Sequence, residues 1–336
     1  MPSSIRKPSA GNPDLSLERM YPARAAERDA WILARRGERR ALDPLRPWAF
    51  LIEEERSALG ELVPVATVFL TNRECPWRCL MCDLWQNTLA GETPAGAIPA
   101  QIDHALAQLP PARQIKLYNS GSFFDPRAIP REDHPAIVQR VAEFERVIVE
   151  CHPALVGNDC FRFRDAIPGR LEVAMGLETA QPEVLERLNK RMTLGQFAAA
   201  ADELRDHGID LRVFLLVRPP FLSEAEGLEW ACRSVDFAFD CGATAVSLIP
   251  TRGGNGAMEE LAAQGNFAPP TLATLEAAAA YGIALGRGRV FADVWDVRRI
   301  ARCDACREAR VARLDRMNRE QRVLAPVVCE RCGGAS

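Results

Sequence analysis

The chain has 336 residues, 48% of them hydrophobic, which is enough to bury a full α/β core in one large domain or two smaller ones. Its net charge of −3 and its pI of about 6.0 give no overall argument for a polyanionic partner. No apolar run approaches the ~20 residues that span a bilayer, and the N-terminus has no apolar signal core. We therefore expect a cytoplasmic protein that makes no membrane contact.

The cysteine content indicates metal ligation. Eleven cysteines are present, and seven of them stand in short CxxC-type spacings. In a chain without a secretory signal, this usage favours metal sites in a reducing compartment over disulfides.

The N-terminal part divides into two predicted segments. Residues 1–14, rich in Pro, Ser, Gly and Asn, are predicted to be a disordered lead-in, and residues 15–60 an N-terminal helical extension. A helix is predicted over 15–40, with Trp31 in its apolar anchor. Its many arginines alternate with acids, so a solvated face of ion pairs is favoured over a phosphate-binding face. Residues 50–52 are interpreted as an edge strand of the main sheet.

Three cysteines follow the first strongly predicted strand. Residues 63–70 form an apolar, β-branched run, and Cys75, Cys79 and Cys82 come directly after it at CxxxCxxC spacing. Three thiolates leave one position of a tetrahedral metal open, because no His or other Cys lies nearby in the sequence. The spacing alone favours a redox cluster, with a zinc site or simply buried thiols as the alternatives.

Strands and helices alternate after this loop, which predicts a parallel sheet whose strand ends meet on one face. Six units are too few for a closed eight-stranded barrel. The predicted strands are 63–70, 114–118, 146–151, 171–176, 210–217 and 244–249, and the predicted helices are 100–109, 133–143, 181–207 and 223–239.

Several predicted strand ends carry polar groups. The small-residue turn at 119–121 can accept a charged group at close range or can be an ordinary βα turn. Glu150 ends a buried strand, where a carboxylate is costly unless it meets a partner or ligand. The adjacent Cys151 is interpreted as a buried thiol and His152 as a loop residue, because single Cys and His residues pack more often than they react.

Two arginines end later strands. Arg218 at a site mouth is suited to an anionic substrate group, and Arg252 opens a glycine-rich turn suited to a phosphate. A structural role is equally compatible with each of them.

Four cysteines near the C-terminus form two CxxC pairs, Cys303 with Cys306 and Cys329 with Cys332. Four soft ligands without an opening predict a structural site, most often zinc, with a second iron-sulfur cluster as the alternative. We assign this four-cysteine extension to residues 291–336.

A run of arginines at three-residue intervals lies between the two pairs. If the segment is helical, this spacing is expected to put them on one side as either a solvated face or a nucleic-acid surface. The six arginines are Arg307, Arg310, Arg313, Arg316, Arg319 and Arg322.

The cysteine loop after a first strand resembles the radical S-adenosylmethionine (SAM) superfamily, in which three cysteines hold a 4Fe-4S cluster and SAM chelates the fourth iron. Met81 departs from the aromatic residue that is usual there. Residues 175–193 resemble the family segment in which a strand ends in Gly-x-Glu-Thr and the next helix ends in a basic residue. Residues 75–85 and 118–125 resemble most closely the branch that contains the Elongator catalytic domain and the archaeosine synthase radical SAM subunit.

The resemblance implies an α/β fold, an open six-stranded parallel (β/α)6 partial TIM barrel over 61–290 with a small zinc-ribbon-like extension that carries the last four cysteines. It implies that Glu178 binds the SAM ribose and that Lys190 or Arg191 pairs with the SAM carboxylate. The family's acid at the second strand end is missing, so residues of that turn would replace it. The implied SAM contacts are Asn119, Ser120, Gly121, Glu150, Glu178, Lys190 and Arg191.

The activity that the resemblance implies is reductive cleavage of SAM to methionine and a 5'-deoxyadenosyl radical, with flavodoxin or ferredoxin as the electron donor. The substrate stays open between a nucleobase in tRNA and a small metabolite of a biosynthetic pathway. A noncatalytic zinc-binding interaction protein is the third alternative, from another class.

Overall fold

A computed structural model describes residues 20–332 and the backbone of residues 334–335. The predicted disordered lead-in at 1–14 lies outside the described residues. The centre of the fold is one curled sheet whose eight strands lie in sequence order. These strands are β1 Ala49–Arg56, β2 Leu62–Phe69, β3 Gln114–Tyr118, β4 Arg146–Glu150, β5 Arg170–Glu178, β6 Asp210–Val217, β7 Ala245–Pro250 and β8 Arg289–Ala292.

The predicted six-stranded sheet is wrong in its number of strands. All six predicted strands are present as β2 to β7, and they pair in parallel. The predicted edge strand is also present, since β1 pairs antiparallel with β2. A further parallel strand, β8, extends the other edge beside β7. Its four residues are too few to show a strand period in the sequence.

Helices cover the outer face of the sheet, and the C-terminal one lies between the two CxxC pairs. The predicted helix over 181–207 is divided, because Asn189 and Arg191 adopt left-handed φ values of 59° and 60°. The helices are α1 Ala25–Leu33, α2 Ala97–Leu106, α3 His134–Val141, α4 Asn158–Ala166, α5 Pro182–Arg187, α6 Leu194–Asp206, α7 Glu224–Asp240, α8 Ala257–Ala263, α9 Leu272–Ala284 and α10 Arg307–Glu320.

The predicted N-terminal helix is shorter than expected. In the described part of 15–40, only Ala25–Leu33 is helical. The chain beyond it turns at residues 34–35 and then has no regular secondary structure as far as residue 43. In this segment Arg36 and Arg39 pair with Glu74 of the cysteine loop. Among the described residues, no helix combines the length and apolar character that crossing a bilayer requires.

A buried network of charged side chains fills the inner face of the curled sheet. Arg212, which is only 2% exposed, donates to Glu55 at 2.5 Å and to Glu172 at 2.6 Å. Glu172 also accepts from Arg146 and Arg289, each at 2.9 Å. Burial alone would raise the pKa of the Glu172 carboxyl, but the three arginines lower it to about 2.

The C-terminal end of α10 and the residue after it hydrogen-bond to the free edge of β8. The Asn318 side-chain amide bonds both N–H and C=O of Ala292 at 2.8 Å. The Gln321 amide does the same for Val290, at 2.7 and 2.9 Å. These side chains satisfy backbone groups that an exposed edge strand leaves unpaired.

We predict that Glu172→Gln destabilises the protein strongly, because three buried arginines lose part of their counter-charge. Breaking a buried ion pair from one side costs about 3–5 kcal/mol, and we expect a loss of this order in urea unfolding. The folded pKa of Glu172, near 2, lies below the unfolded value of about 4.3, so this stabilisation is present above about pH 5 and is lost as the pH falls toward 2.

The matched control is Glu145→Gln, since Glu145 pairs with Arg113 on the surface. The network would not have the proposed role if Glu172→Gln and Glu145→Gln unfolded at the same urea concentration.

Candidate functional site

The carboxyl ends of the parallel strands open into a cavity of ≈ 870 Å³. The cysteine loop lines one side of this cavity, and the strand ends line the other. The structure thereby brings together most of the site residues that the sequence indicates. Those that line the cavity are Cys75, Cys79, Cys82, Ser120, Gly121, Glu150, Glu178, Lys190 and Arg252.

The cysteine loop is held by an ion cluster that the sequence did not reveal. The Glu74 carboxylate pairs with Arg36 and Arg39, each at 2.6 Å, and with Arg78 at 3.1 Å. These contacts connect the loop to the N-terminal segment after α1. A largely shielded, multiply paired carboxylate rigidifies the segment that carries it, so the loop has a defined conformation.

The loop is also held from the far side by backbone groups. The Asn189 side chain donates to Arg78 O at 2.8 Å, and the Asn255 side chain donates to Leu80 O at 2.7 Å. Asn189 therefore accounts for the break between α5 and α6, because its left-handed backbone aims this side chain at the loop.

The three loop thiols lie in surroundings that disfavour unpaired thiolates. Burial raises the pKa of each thiol, Cys75, Cys79 and Cys82, to about 12, although the nearby Lys190 acts in the opposite direction on Cys75 and Cys79. Metal coordination deprotonates such thiols. Their sulfurs do not form a group within 4.8 Å, as the four C-terminal sulfurs do. They therefore fit a multinuclear cluster, in which each thiolate binds a different metal atom, better than a single ion.

A buried ion pair faces the cysteines. Lys190 Nζ donates to Glu178 Oε1 at 2.7 Å. A bulge in β5 between Gly176 and Glu178 and a φ of 68° at Glu178 aim this carboxylate into the cavity. A Cβ at Gly176 would collide with Glu178 Oε1 and lie 2.6 Å from Lys190 Nζ. Because Gly176 has no side chain, the ion pair of Glu178 and Lys190 has room at this position.

Glu150 is held by the turn that follows β3. Its Oε2 accepts from the backbone N–H of Asn119 at 2.7 Å and of Ser120 at 3.1 Å. Burial raises the pKa of this carboxyl to about 7, against the opposite effect of the two amides. A Cβ at Gly121 would lie 3.1 Å from the Cβ of Cys75, so the turn packs directly on the cysteine loop.

The side chain of Asn119 does not line the cavity. Both its amide atoms are buried without a hydrogen-bond partner among the described residues. Asn119 therefore reaches the site through its backbone N–H.

Two other predicted contacts lie elsewhere. Arg191 donates to Ala25 O at 2.6 Å and pairs with Asp29 at 3.0 Å, outside the cavity lining. Arg218 pairs with Glu224 at 2.6 Å, also outside it.

Arg252 does line the cavity, where it pairs with Asp293 at 2.5 Å. The glycine-rich turn that follows it is already filled by an internal carboxylate. Glu259 accepts from Gly254 N at 2.6 Å and from Gly256 N at 2.7 Å. The amides expected for a phosphate are therefore satisfied within the chain.

His152 joins the cysteine loop to the ion pair. Its ring stacks on Trp77, with centroids 3.7 Å apart, and its Nε2 lies 3.1 Å from Lys190 O. Burial lowers its pKa to about 3, so the ring is neutral. His152 does lie in the loop after β4, as expected, but no pattern in the sequence indicates its partner Trp77.

The four C-terminal sulfurs lie within 4.8 Å of one another, and this group could hold a metal ion. Cys303 Sγ is 3.9 Å from Cys329 Sγ, and Cys306 Sγ is 4.0 Å from Cys332 Sγ. These separations suit a tetrahedral ion bound by thiolates at about 2.3 Å. The predicted C-terminal four-cysteine site is therefore present, and α10 begins directly after Cys306.

The predicted single basic face between the cysteine pairs is wrong. A three-residue interval drifts by about 60° per step on an α-helix, so the first five arginines are distributed around α10, and Arg322 lies just beyond its end. Arg310 and Arg313 are buried against Glu276, at 2.5 and 3.2 Å. The others also have acidic partners, which are Asp304 for Arg307, Glu320 for Arg316 and Arg322, and Glu54 for Arg319.

Comparison with known proteins finds partial similarity to several of them. No family model matches the chain. It is 29% identical over 228 residues to archaeosine synthase subunit beta of Methanosarcina acetivorans, covering 63% of this chain and 65% of that protein. The same subunit of Thermococcus kodakarensis is 32% identical over 127 residues, covering 36% of this chain and 39% of the relative. An uncharacterized protein of Methanocaldococcus jannaschii is 24% identical over 251 residues, covering 70% and 69%.

Similar solved structures include methylornithine synthase, with a TM-score of 0.46, 12% identity and coverage of 65% of this chain and 61% of that one. The radical SAM enzyme coproporphyrinogen III oxidase from Escherichia coli has a TM-score of 0.38, 15% identity and coverage of 52% and 39%. The chain spans slightly less than two thirds of the Methanosarcina subunit.

We predict that Cys306→Ser loses the C-terminal metal, because one of four converging thiolates is removed. Metal analysis of the purified protein should show about one ion fewer per chain, or one cluster fewer if the site holds iron and sulfide. The melting temperature should fall, since α10 begins at this site.

Cys232→Ser is the matched control, because Cys232 lies in α7 outside both cysteine groups. Equal metal content in Cys306→Ser and Cys232→Ser would contradict a metal role for the C-terminal group.

Proposed function

We propose that this protein is a radical SAM enzyme that binds a 4Fe-4S cluster through Cys75, Cys79 and Cys82 and cleaves SAM reductively in order to modify a nucleobase in tRNA. When bound, the cluster supplies the electron that splits SAM into methionine and a 5'-deoxyadenosyl radical. A low-potential flavodoxin or ferredoxin is the corresponding electron donor, and the cytoplasm is the location where these partners meet. The C-terminal cysteines hold zinc or a second iron-sulfur cluster.

The observation that carries the proposal is the convergence of three thiols, an ion pair and a buried carboxyl on one cavity. A zinc site needs only converging ligands, whereas this cavity also presents Glu178, Lys190 and Glu150 beside an open metal position. A carboxylate suits the ribose diol of SAM, and a cation suits its carboxylate.

The contacts favour Lys190 over Arg191 as the cation for the SAM carboxylate. Lys190 lines the cavity and acts electrostatically on Cys75 and Cys79, whereas Arg191 pairs with Asp29 outside the cavity. Glu150, held by two backbone amides, is the group for the SAM amino end together with Ser120 and Gly121.

The tRNA substrate is supported by the two relatives named archaeosine synthase subunit beta. The arginines of α10 add little to it, because acidic side chains neutralise them. This neutralisation favours a second candidate, a radical SAM enzyme that acts on a small metabolite within the ≈ 870 Å³ cavity.

We predict that the protein forms 5'-deoxyadenosine when it is reconstituted anaerobically with iron and sulfide and incubated with SAM and dithionite. Chromatography measures the product. Cys79→Ala should reduce the yield to background, because one cluster ligand is lost. Cys232→Ala should retain it, since Cys232 lies in α7.

A wild-type protein that stays colourless and forms no 5'-deoxyadenosine would contradict the proposed reaction. The two candidate substrates are separated by tRNA binding across a salt series. The absence of tRNA binding even at low salt would exclude the nucleic-acid substrate.

A further inference from the structure

A continuous wall of aromatic rings lines part of the cavity that the SAM contacts do not use. Phe69 stands at its centre, with ring centroids 5.0 Å from Trp48, 6.1 Å from Tyr118 and 6.0 Å from Trp295. Tyr118 continues the wall to Phe214 at 6.0 Å. All five rings line the same cavity as the cysteine loop. Adjacent rings at these separations form an extended apolar surface.

Trp295 presents the accessible part of this wall. Its side chain is 52% exposed, although the residue borders the cavity. The turn that carries it is fixed by Asp293, whose carboxylate accepts from Trp295 N at 2.8 Å and from Arg252 at 2.5 Å. A large aromatic side chain carried by a fixed turn at a cavity mouth is placed to stack on a ligand.

Tyr118 adds a polar group at the inner end of the wall. Its hydroxyl makes no hydrogen bond to the residues that the structure describes, unlike the neighbouring Lys116, which donates to Glu53 and Glu55. The charges that act on the phenol are Lys116, Arg212 and Glu55 of the cavity floor and Glu150 beside the cysteine loop. These charges come from both the floor and the SAM side of the cavity, which Tyr118 also lines.

We propose that this wall is the substrate subsite, and that it takes a planar heteroaromatic ring stacked on Trp295 and hydrogen-bonded to the Tyr118 hydroxyl. The inference rests on the proposed function, and it assigns the part of the substrate that enters the cavity. Aromatic stacking selects a flat π-face, and a cavity hydroxyl without a protein partner selects a ring that carries a donor or acceptor. A nucleobase turned out of its stack has both features.

The first test uses free guanosine as the probe and tryptophan fluorescence as the readout, with ribose as the non-planar control. Guanosine should quench the wild-type emission, and ribose should not. In Trp295→Ala the affinity for guanosine should fall about tenfold, the expected loss for one base-aromatic stack. Trp295→Phe keeps an aromatic face and should lose about threefold or less.

Trp230→Ala is the matched control. Trp230 is a half-buried tryptophan on α7 that contacts Arg233 and does not line the cavity, so its removal should leave guanosine affinity unchanged. Tyr118→Phe retains the ring but loses the hydroxyl, and it should weaken guanosine binding while binding of toluene stays as in wild type. Unequal effects on these two probes distinguish a lost hydrogen bond from a general packing defect.

Three outcomes overturn the subsite: no quenching of the wild type by guanosine, equal quenching by ribose, or wild-type guanosine affinity in Trp295→Ala. Cleavage of SAM by the wild type is measured separately without guanosine, so a failed subsite does not imply a failed reaction. If guanosine binds through Trp295 but tRNA does not bind, the subsite stands and the tRNA part of the proposed function fails.

Discussion

The rest of the structure depends on the charge balance inside the curled sheet. Glu55 and Glu172 are the central carboxylates, and Arg212 bridges them. Together with Lys116, Arg146 and Arg289 they connect side chains from six of the eight strands. Buried charges are tolerated only when each has partners, and here the partners come from strands far apart in the sequence. The network therefore both closes the floor of the cavity and fixes the curvature of the sheet.

The charged network forms the floor of the cavity, and the remaining space lies at the carboxyl ends of the strands. The strand ends above it contribute Glu150, Glu178 and Tyr118, and the cysteine loop contributes three thiols. Helix α10 and the residue that follows it contact both edge strands of the sheet. Asn318 and Gln321 cap the edge of β8, and Arg319 pairs with Glu54 of β1 at 2.6 Å. The C-terminal cysteine site lies at the start of α10, so it is linked through this helix to the two outer strands, β1 and β8.

The sequence predicts the strands with continuous apolar runs and the site residues that follow them. It correctly indicates β2 to β7, because each is a buried run bounded by turn residues. It does not indicate β8, whose four residues include Arg289, nor the pairing of Arg212 with Glu55, which are 157 residues apart. Such long-range ion pairs leave no local pattern.

The wrong prediction of a single basic face has a geometric cause. A three-residue interval looks like a stripe in the sequence, but it rotates around a helix with 3.6 residues per turn. Arg313 is consequently buried beside Glu276. Arg218 lies at a strand end outside this helix, and it pairs with Glu224. Charge spacing alone does not reveal which acid each arginine meets. The ion pair of Glu178 and Lys190, by contrast, was expected as a converging set because both residues stand in one recognisable segment.

The most direct test of the central claim is electron paramagnetic resonance of the reconstituted, dithionite-reduced protein, recorded with and without SAM. The account predicts the signal of a reduced 4Fe-4S cluster whose line shape changes when SAM is added, because SAM occupies the position that the three cysteines leave open. A cluster signal that SAM leaves unchanged, or no cluster signal in the wild type, would contradict it.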